Sequence, residues 1–303
     1  MTEADGFCGI YPMLYAFFDA GGGLDRGAMR AQVEHCLENG AHGIAALGLG
    51  TEVAKLTPKE RRALMEWVAE DLDGRLPLAI TVFGATPAEQ IAFVRAAAER
   101  GADWVILQPP RRDGLSEADL VRFFGEVADA SPVPVAIQNA PQYIGVGLTD
   151  AGLDTLCREH PNVKLVKAEG SALEARSLIE LCAGRMAVWG GRGGLELTDN
   201  LRVGCAGMIP SVESCDVQSR IFELMRAGRE EEAERLYAAI LPLVVFLMQS
   251  IDRFLCYGKR LTAKRIGVRE VHDRQPAEAP TAFGLACMER HAAVLDSLRQ
   301  PPT

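Results

Sequence analysis

The sequence predicts an α/β protein, a (β/α)8 TIM barrel followed by a C-terminal helical extension. Its length of 303 residues lies within the range that such a barrel fills as one unit. Between residue 9 and about residue 210, short β-rich apolar runs alternate with longer amphipathic stretches about eight times. After residue 212 the pattern is helical only, and no Pro/Gly/Ser-rich linker intervenes. We therefore expect a barrel over 1–212 and an extension over 213–303, packed together as one structural unit.

Eight apolar runs are predicted to form the barrel strands, because each is bounded by Gly, Pro or Asp. In chain order they are GIYPMLYAF (9–17), GIAALG (43–48), PLAITVF (77–83), WVILQ (104–108), VPVAIQ (133–138), VKLVKA (163–168), MAVWG (186–190) and AGMIPS (206–211).

The helices between these runs begin with capping residues. Thr57-Pro58 and Thr86-Pro87 place proline at the first helical position after a capping threonine, and Ser116 precedes a third amphipathic stretch. Gly40 and Gly101 follow helical stretches, as a helix C-terminus prefers.

The C-terminal part is predicted to contain only helices. We expect one near 213–227, a long one from about 229 to 256, and shorter pieces to 298. The apolar run LYAAILPLVVFLM (236–248) is shorter than a bilayer-spanning helix and contains Pro242. It predicts a buried helix or a subunit contact, and no membrane partner.

Composition excludes several classes of function. Lys plus Arg number 32 against 41 Asp plus Glu, a net charge of -9 that disfavours a nucleic-acid partner. The acidic N-terminus has no apolar core typical of a secretory signal, so we expect a cytoplasmic protein. The eight cysteines show no Cys-x-x-Cys and the five histidines are dispersed, which predicts reduced thiols and no metal.

The residues that could carry chemistry lie where predicted strands end, because the mouth of a barrel forms there. Lys167 ends the sixth strand, where desolvation favours the neutral amine, a nucleophile toward ketones. Glu169 follows two positions later on the same face. The alternative is structural: a lysine reaching solvent, or an ion pair with Glu169.

Two further strand ends carry motifs. After the second strand, Gly48-Leu49-Gly50-Thr51-Glu52 could present backbone amides to an anion, or could be an ordinary glycine-rich turn. After the fifth strand stands Gln138-Asn139-Ala140-Pro141. GGRGG (190–194), after the seventh strand, could line the distal part of a substrate through Gly191, with Arg192 either contacting a hydroxyl or turned to solvent. It is not part of a GxGxxG nucleotide motif.

Together these motifs resemble the dihydrodipicolinate synthase/N-acetylneuraminate lyase superfamily over nearly the whole chain. The shared features are the barrel with C-terminal helices, a glycine turn ending in glutamate, Asn-x-Pro, and Lys-x-Glu. The resemblance implies that Lys167 forms a Schiff base with the ketone of a 2-oxo acid, without a cofactor. It implies that Leu49, Gly50 and Thr51 bind the adjacent carboxylate, and that the protein is a homo-oligomer, commonly a tetramer.

The chain also departs from the superfamily pattern. The hydroxyl residues of the usual Gly-Thr-Thr-Gly-Glu fall on Leu49 and Gly50, although Thr51 could supply a displaced hydroxyl. Gln138 stands where the superfamily has a tyrosine that shuttles the proton of the substrate hydroxyl, and an amide cannot act as a base. PPRRDG (109–114) and PQYIG (141–145) lack the Tyr-Tyr pair and the arginine of the lysine-biosynthesis branch, which disfavours dihydrodipicolinate synthesis.

With lysine and glutamate kept and the tyrosine lost, we expect dehydration. Glu169 would take a proton next to the iminium and return it to the departing hydroxyl, which Gln138 would orient. Glutamine at this position is similar to the 2-dehydro-3-deoxy-L-arabinonate dehydratase branch. That branch converts its substrate to 2,5-dioxopentanoate (α-ketoglutaric semialdehyde) plus water in pentose breakdown. The resemblance thus implies a carbon–oxygen lyase, a hydro-lyase. A class I aldolase of the same scaffold and a non-catalytic barrel that binds 2-oxo acids are the alternatives.

Overall fold

The computed structural model describes residues 6–110 and 114–299. They contain one sheet of eight parallel strands, ordered β1-β8-β7-β6-β5-β4-β3-β2. The strands are β1 (Gly9–Ile10), β2 (Ile44–Ala46), β3 (Leu78–Val82), β4 (Trp104–Leu107), β5 (Val135–Asn139), β6 (Val163–Ala168), β7 (Ala187–Gly190) and β8 (Gly207–Met208). Seven of them lie inside the predicted runs, and β5 extends one residue beyond its run, to Asn139.

The sheet closes into a barrel between its first and second strands. Met13 bridges Ala45 in parallel, and the Leu14 N–H donates to the Ala45 carbonyl at 2.9 Å. Strands β1 and β8 are shorter than the predicted first and last strands. They end before Pro12 and Pro210, which have no N–H to donate to a ladder. This confirms the predicted (β/α)8 barrel.

Thirteen α-helices are present in the described residues. They are α1 (Arg26–Glu38), α2 (Pro58–Leu72), α3 (Pro87–Glu99), α4 (Glu117–Asp129), α5 (Pro141–Ile144), α6 (Asp150–Glu159), α7 (Ala172–Cys182), α8 (Leu197–Val203), α9 (Cys215–Arg226), α10 (Glu230–Leu247), α11 (Ile251–Arg253), α12 (Lys259–Arg265) and α13 (Ala282–Leu298). Thr57, Thr86 and Ser116 cap the starts of α2, α3 and α4, as the sequence predicted, and each forms a reciprocal capping box.

The helix after the last strand belongs to the outer ring. Helix α9 packs against β1 and α8, and α10 packs against α9 in turn. The boundary at residue 212 between barrel and extension stays a prediction.

The prediction of one helix over 229–256 was wrong. Helix α10 ends at Leu247, and the chain turns by 110° before the next helical segment, Ile251–Arg265. Ser250 causes the restart, because its backbone is extended and its side chain accepts from the Arg253 N–H. A π-helix, Phe254–Gly258, then links α11 to α12.

None of the helices in the described ranges is by itself long and apolar enough to cross a membrane. The bent pair Glu230–Leu247 and Ile251–Arg265 meets that test only by combined length and composition.

The barrel interior changes from apolar to polar along the strands. Trp189 packs against Tyr11 and Trp104, with ring centres 4.9 and 5.3 Å apart. Further along β5 and β6, the interior residues Ala136 and Leu165 are followed two positions later by Gln138 and Lys167. An apolar floor therefore lies under a polar layer at the carboxyl ends of the strands.

Candidate active site

A pocket opens at the carboxyl end of the barrel. It encloses about 410 Å³ of empty space, part of it open to solvent. Its wall combines strand ends, the turn after β2 and the bent C-terminal segment. The lining residues are Met13, Leu49, Gly50, Tyr143, Lys167, Glu169, Arg192, Gly193, Ile209, Pro210, Met248, Ile251 and Phe254.

Lys167 and Glu169 meet in this pocket. Both are buried, with 6% and 4% of their surface exposed, and the Lys167 ammonium contacts Glu169 Oε1 directly. Strand β6 ends at Ala168, but the Glu169 N–H donates to the Asn139 carbonyl at 3.0 Å and continues the ladder. The extended backbone places both side chains on one face, as expected from their spacing.

The second oxygen of Glu169 is held by a backbone amide. Its Oε2 accepts from the Arg192 N–H at 2.7 Å. Gly191 makes this approach possible, because a Cβ there would collide with the Glu169 carboxylate. Gly191 is not among the residues that line the pocket, and its contact is with Glu169.

Gln138 stands beside Lys167 in register across β5 and β6. It is buried, and its Oε1 accepts from Gln108 Nε2 at 3.0 Å. Its Nε2 is buried without a hydrogen-bond partner in the described residues, a donor available at the edge of the site. Gln138 does not itself line the pocket. Asn139 braces the following loop, because its side chain bonds both the N–H and the carbonyl of Leu148 at 2.9 Å.

The turn after β2 divides its residues between pocket and core. Leu49 and Gly50 line the pocket, and no partner for either N–H occurs in the described part of the chain. Thr51 is fully buried, and its hydroxyl donates to the Leu14 carbonyl at 2.6 Å. The Thr51 hydroxyl, which the sequence offered as a possible substrate contact, thus points into the barrel wall.

Two further polar residues line the pocket, Tyr143 and Arg192, and the sequence pattern assigned no role to Tyr143. Tyr143, on α5, lies near Arg192 and Glu169, and burial together with the Glu169 charge raises the pKa of its phenol. The Arg192 guanidinium donates to Glu196 at 2.8 Å and to the Gly170 carbonyl at 3.2 Å. Arg192 lines the pocket, and its contact with a substrate hydroxyl stays a prediction. The signal that could have identified Tyr143 is its place shortly after Asn-x-Pro.

Three apolar lining residues come from the C-terminal segment, namely Met248, Ile251 and Phe254. They reach the pocket because the chain bends between α10 and α11, which the sequence pattern did not predict. Residues 111–113 of PPRRDG lie outside the described residues.

The described residues also bring Asp154, Cys157 and Cys182 within 4.8 Å of one another, between α6 and α7. Sequence spacing did not predict this group. Both Asp154 oxygens already bind arginines, Arg185 and, at 3.2 Å, Arg158. Burial and the neighbouring Cys157 raise the pKa of the Cys182 thiol to about 12. A protonated thiol and a carboxylate already neutralised by two arginines are poor ligands for a cation, so this group does not fit a metal site.

Relatives share this architecture. The chain is 29% identical over 242 residues to L-2-keto-3-deoxyarabonate dehydratase of Azospirillum brasilense, covering 78% of each chain. It is 32% identical over 185 residues to "Putative 2-dehydro-3-deoxy-D-gluconate aldolase YagE" of Escherichia coli K12, a match that spans 61% of either protein.

Solved structures agree with the fold. YagE in complex with pyruvate superposes with a TM-score of 0.86 at 26% identity, covering 96% of this chain and 99% of that one. The 4-hydroxy-tetrahydrodipicolinate synthase of Methylacidiphilum fumariolicum SolV superposes with a TM-score of 0.88 at 24% identity, covering 96% of each chain. The model of the dihydrodipicolinate synthetase family matches residues 6–281. The chain therefore belongs to the dihydrodipicolinate synthetase family.

Proposed function

We propose that the protein is a Schiff-base-forming hydro-lyase that dehydrates a 3-deoxy-2-oxo sugar acid. The substrate that we propose is 2-dehydro-3-deoxy-L-arabinonate, and the products are 2,5-dioxopentanoate and water. One observation carries the proposal: a buried lysine touches a buried carboxylate inside the pocket, with an amide side chain in register beside the lysine. The dehydratase relative from Azospirillum brasilense supports this activity.

The first step would form the imine. The contact with Glu169 lets the Lys167 ammonium pass its proton to the carboxylate, which leaves a neutral amine. The amine attacks C2 of the substrate, and the protonated Glu169 helps the C2 oxygen leave as water. The free amides of Leu49 and Gly50 are placed to bind the substrate carboxylate next to C2.

The second step would eliminate the hydroxyl at C4. Glu169 removes a proton from C3, whose acidity the iminium raises, and an enamine forms. The enamine electron pair then expels the C4 hydroxyl, which takes the proton from Glu169 and leaves as water. Protons next move from C5 and its hydroxyl to C4 and C3, which makes C5 an aldehyde. Water finally hydrolyses the imine and frees Lys167.

Gln138 favours elimination over cleavage in this scheme. Breaking the C3–C4 bond requires a base that deprotonates the C4 hydroxyl, and an amide cannot do this near neutral pH. The unpartnered Gln138 Nε2 could instead donate to a polar group of the substrate. The Arg192 N–H, which binds Glu169 Oε2, would keep the carboxylate aimed at C3.

A class I aldolase is the second candidate, and Tyr143 is the observation that favours it. Its phenol lies in the pocket near Glu169 and could replace the tyrosine missing at position 138. We rank it second because the raised pKa of Tyr143 opposes its use as a base.

The test combines adduct trapping with product analysis. The protein is incubated with a 3-deoxy-2-oxo pentonate, with Lys167→Ala as the control. One portion is treated with borohydride and its intact mass is measured, and the supernatant of an untreated portion is assayed for products. We expect an adduct that depends on Lys167, together with 2,5-dioxopentanoate. Pyruvate or glycolaldehyde would identify an aldolase, an adduct without product would identify a binding protein, and no adduct would refute imine chemistry.

We further propose that the enzyme acts in the cytoplasm in pentose breakdown and assembles as a homo-oligomer, a tetramer by family resemblance. Sedimentation velocity at several concentrations tests the assembly, and a single monomeric species would contradict it.

A further inference from the structure

A second lysine–glutamate pair lies behind the pocket. Lys259, on α12, has 1% of its surface exposed, and its ammonium contacts Glu52 Oε1. Asp273 Oδ1 lies 3.8 Å from the same nitrogen, and the Phe18 ring centre lies 5.2 Å away. A buried ammonium is retained only where its partners compensate its lost hydration. Neither Lys259 nor Glu52 lines the pocket, so the proposed chemistry leaves this pair unexplained.

Glu52 is clamped rather than free to exchange protons with a substrate. Its second oxygen, Oε2, accepts from the Lys55 ammonium at 2.6 Å. Lys55 in turn donates to the Arg274 carbonyl at 3.1 Å. The Glu52 carboxylate therefore connects the turn after β2 to two parts of the C-terminal segment.

The backbone at Glu52 needs this restraint. Its φ of 54° and ψ of 36° are left-handed, a conformation that is unfavourable for a residue with a side chain. In this conformation the Glu52 N–H donates to the Leu49 carbonyl at 3.0 Å, and the Thr51 N–H donates to the Gly48 carbonyl at 3.1 Å. The turn is wound so that the N–H groups of Leu49 and Gly50 remain available at the pocket wall.

We infer that Lys259 is a positioning residue for substrate binding: through Glu52 it holds the turn whose Leu49 and Gly50 amides receive the carboxylate of the 2-oxo acid. The inference rests on the proposed function, since it assumes a 2-oxo acid in the pocket. It gives the C-terminal extension a part in carboxylate recognition, in addition to the wall formed by Met248, Ile251 and Phe254.

The inference predicts a defect that depends on the carboxylate of the ligand. The probes are pyruvate and acetone, two ketones of similar size of which only pyruvate has a carboxylate. Each is trapped on Lys167 by borohydride over a range of concentrations, and the half-saturating concentration is read from intact mass. For Lys259→Met we expect this value to rise about 10- to 100-fold for pyruvate, the effect of losing a charge-assisted contact, and to stay within about twofold for acetone.

Control variants separate positioning from general damage. Lys264→Met makes the same substitution on the same helix at an exposed pair with Glu289, and it should behave as the parent. Lys259→Arg, which keeps the charge, should recover part of the pyruvate affinity. If Lys259→Met does not fold, Glu52→Gln tests the same contact, because it keeps the side-chain length and removes the charge.

The outcomes are distinct. An unchanged half-saturation for pyruvate would overturn the inference, and so would an equal loss for pyruvate and acetone, which would mean a disturbed Lys167. If the parent protein forms no adduct with either ketone, the proposed function is overturned, and this inference with it.

Discussion

The molecule contains the same chemical pair twice, and the two copies differ in what faces them. Lys167 and Glu169 are two residues apart and border an open pocket. Lys259 and Glu52 are 207 residues apart and are closed in by Lys55, Asp273 and Phe18. On the proposed function, only the first pair reacts, so burial alone would not decide which lysine–carboxylate pair is reactive. A reacting pair also needs space for a substrate and a carboxylate that is not already neutralised from both sides.

The largest expected effect tests the pocket pair. Lys167→Ala should lower turnover by at least about 10⁴-fold, because the covalent route through the imine is lost. Product formation measured at saturating substrate checks this. Residual activity within tenfold of the parent would contradict the assigned nucleophile.

Glu169→Gln should separate the two steps. We expect turnover to fall by about 10²- to 10⁴-fold, while the borohydride adduct on Lys167 still forms, because the amide cannot move protons at C3. Intact mass is measured on a portion treated with borohydride, and product release on a parallel portion without it. Activity at the parent level would show that another group is the base.

Lys167 should matter more for turnover, but Lys259 should matter more for the free energy of unfolding. Lys259→Met should lower the free energy of unfolding by about 2–4 kcal/mol, since it removes one partner of an enclosed charge. Lys167→Met should cost about 1 kcal/mol or less, because Glu169 keeps the Arg192 N–H and borders the open pocket. Urea denaturation of both variants measures these losses. A greater loss of stability for Lys167→Met than for Lys259→Met would contradict the distinction between the two pairs.

Tyr143→Phe sharpens the assignment of the pocket pair. If Glu169 moves the protons, loss of the Tyr143 hydroxyl should change kcat/KM by only about fivefold, the effect of one neutral hydrogen bond. A loss beyond a hundredfold, with pyruvate as product of the parent, would instead assign the tyrosine as an aldolase base.

The ion pair of Arg274 and Glu60 is more exposed than the two lysine–glutamate pairs, and its loss should have the smallest effect on stability. The Arg274 guanidinium lowers the pKa of Glu60 to about 2, chiefly through hydrogen bonds of 2.6 and 3.0 Å. Because the folded pKa lies below the unfolded value of 4.5, the pair stabilises the protein above that pH and loses its effect as pH falls toward 2. Arg274→Met should cost about 1 kcal/mol at pH 7, and the difference from the parent should shrink in acid. A constant difference between pH 7 and pH 3 would contradict the linkage.

The same contrast explains what the sequence could predict. Lys167 and Glu169 share a face because strand residues alternate, so two positions in the sequence were enough to pair them. Lys259 meets Glu52 only through the bend after Leu247 and the π-helix, for which the sequence pattern had no signal. The barrel strands were predictable because apolar runs bounded by Gly and Pro form a local pattern.

Side-chain direction within a turn was not predictable either. Thr51 and Gly50 are neighbours, yet the Thr51 hydroxyl enters the core and Gly50 lines the pocket. Glu52, the next residue in the turn, has a left-handed backbone, a conformation that is unfavourable by local preference alone. Contacts made far along the chain offset it, and these exist only in the folded molecule.

The bend between α10 and α11 also sets an order of assembly. Lys167 and Glu169 can come together as soon as β6 forms, but the wall residues Met248, Ile251 and Phe254 come from the last fifth of the chain. A polypeptide emerging from the ribosome would thus carry Lys167, the proposed nucleophile, well before it had a closed pocket around it. Competence to bind a ketone should arrive late in synthesis, in one step, when the C-terminal segment docks on the finished barrel.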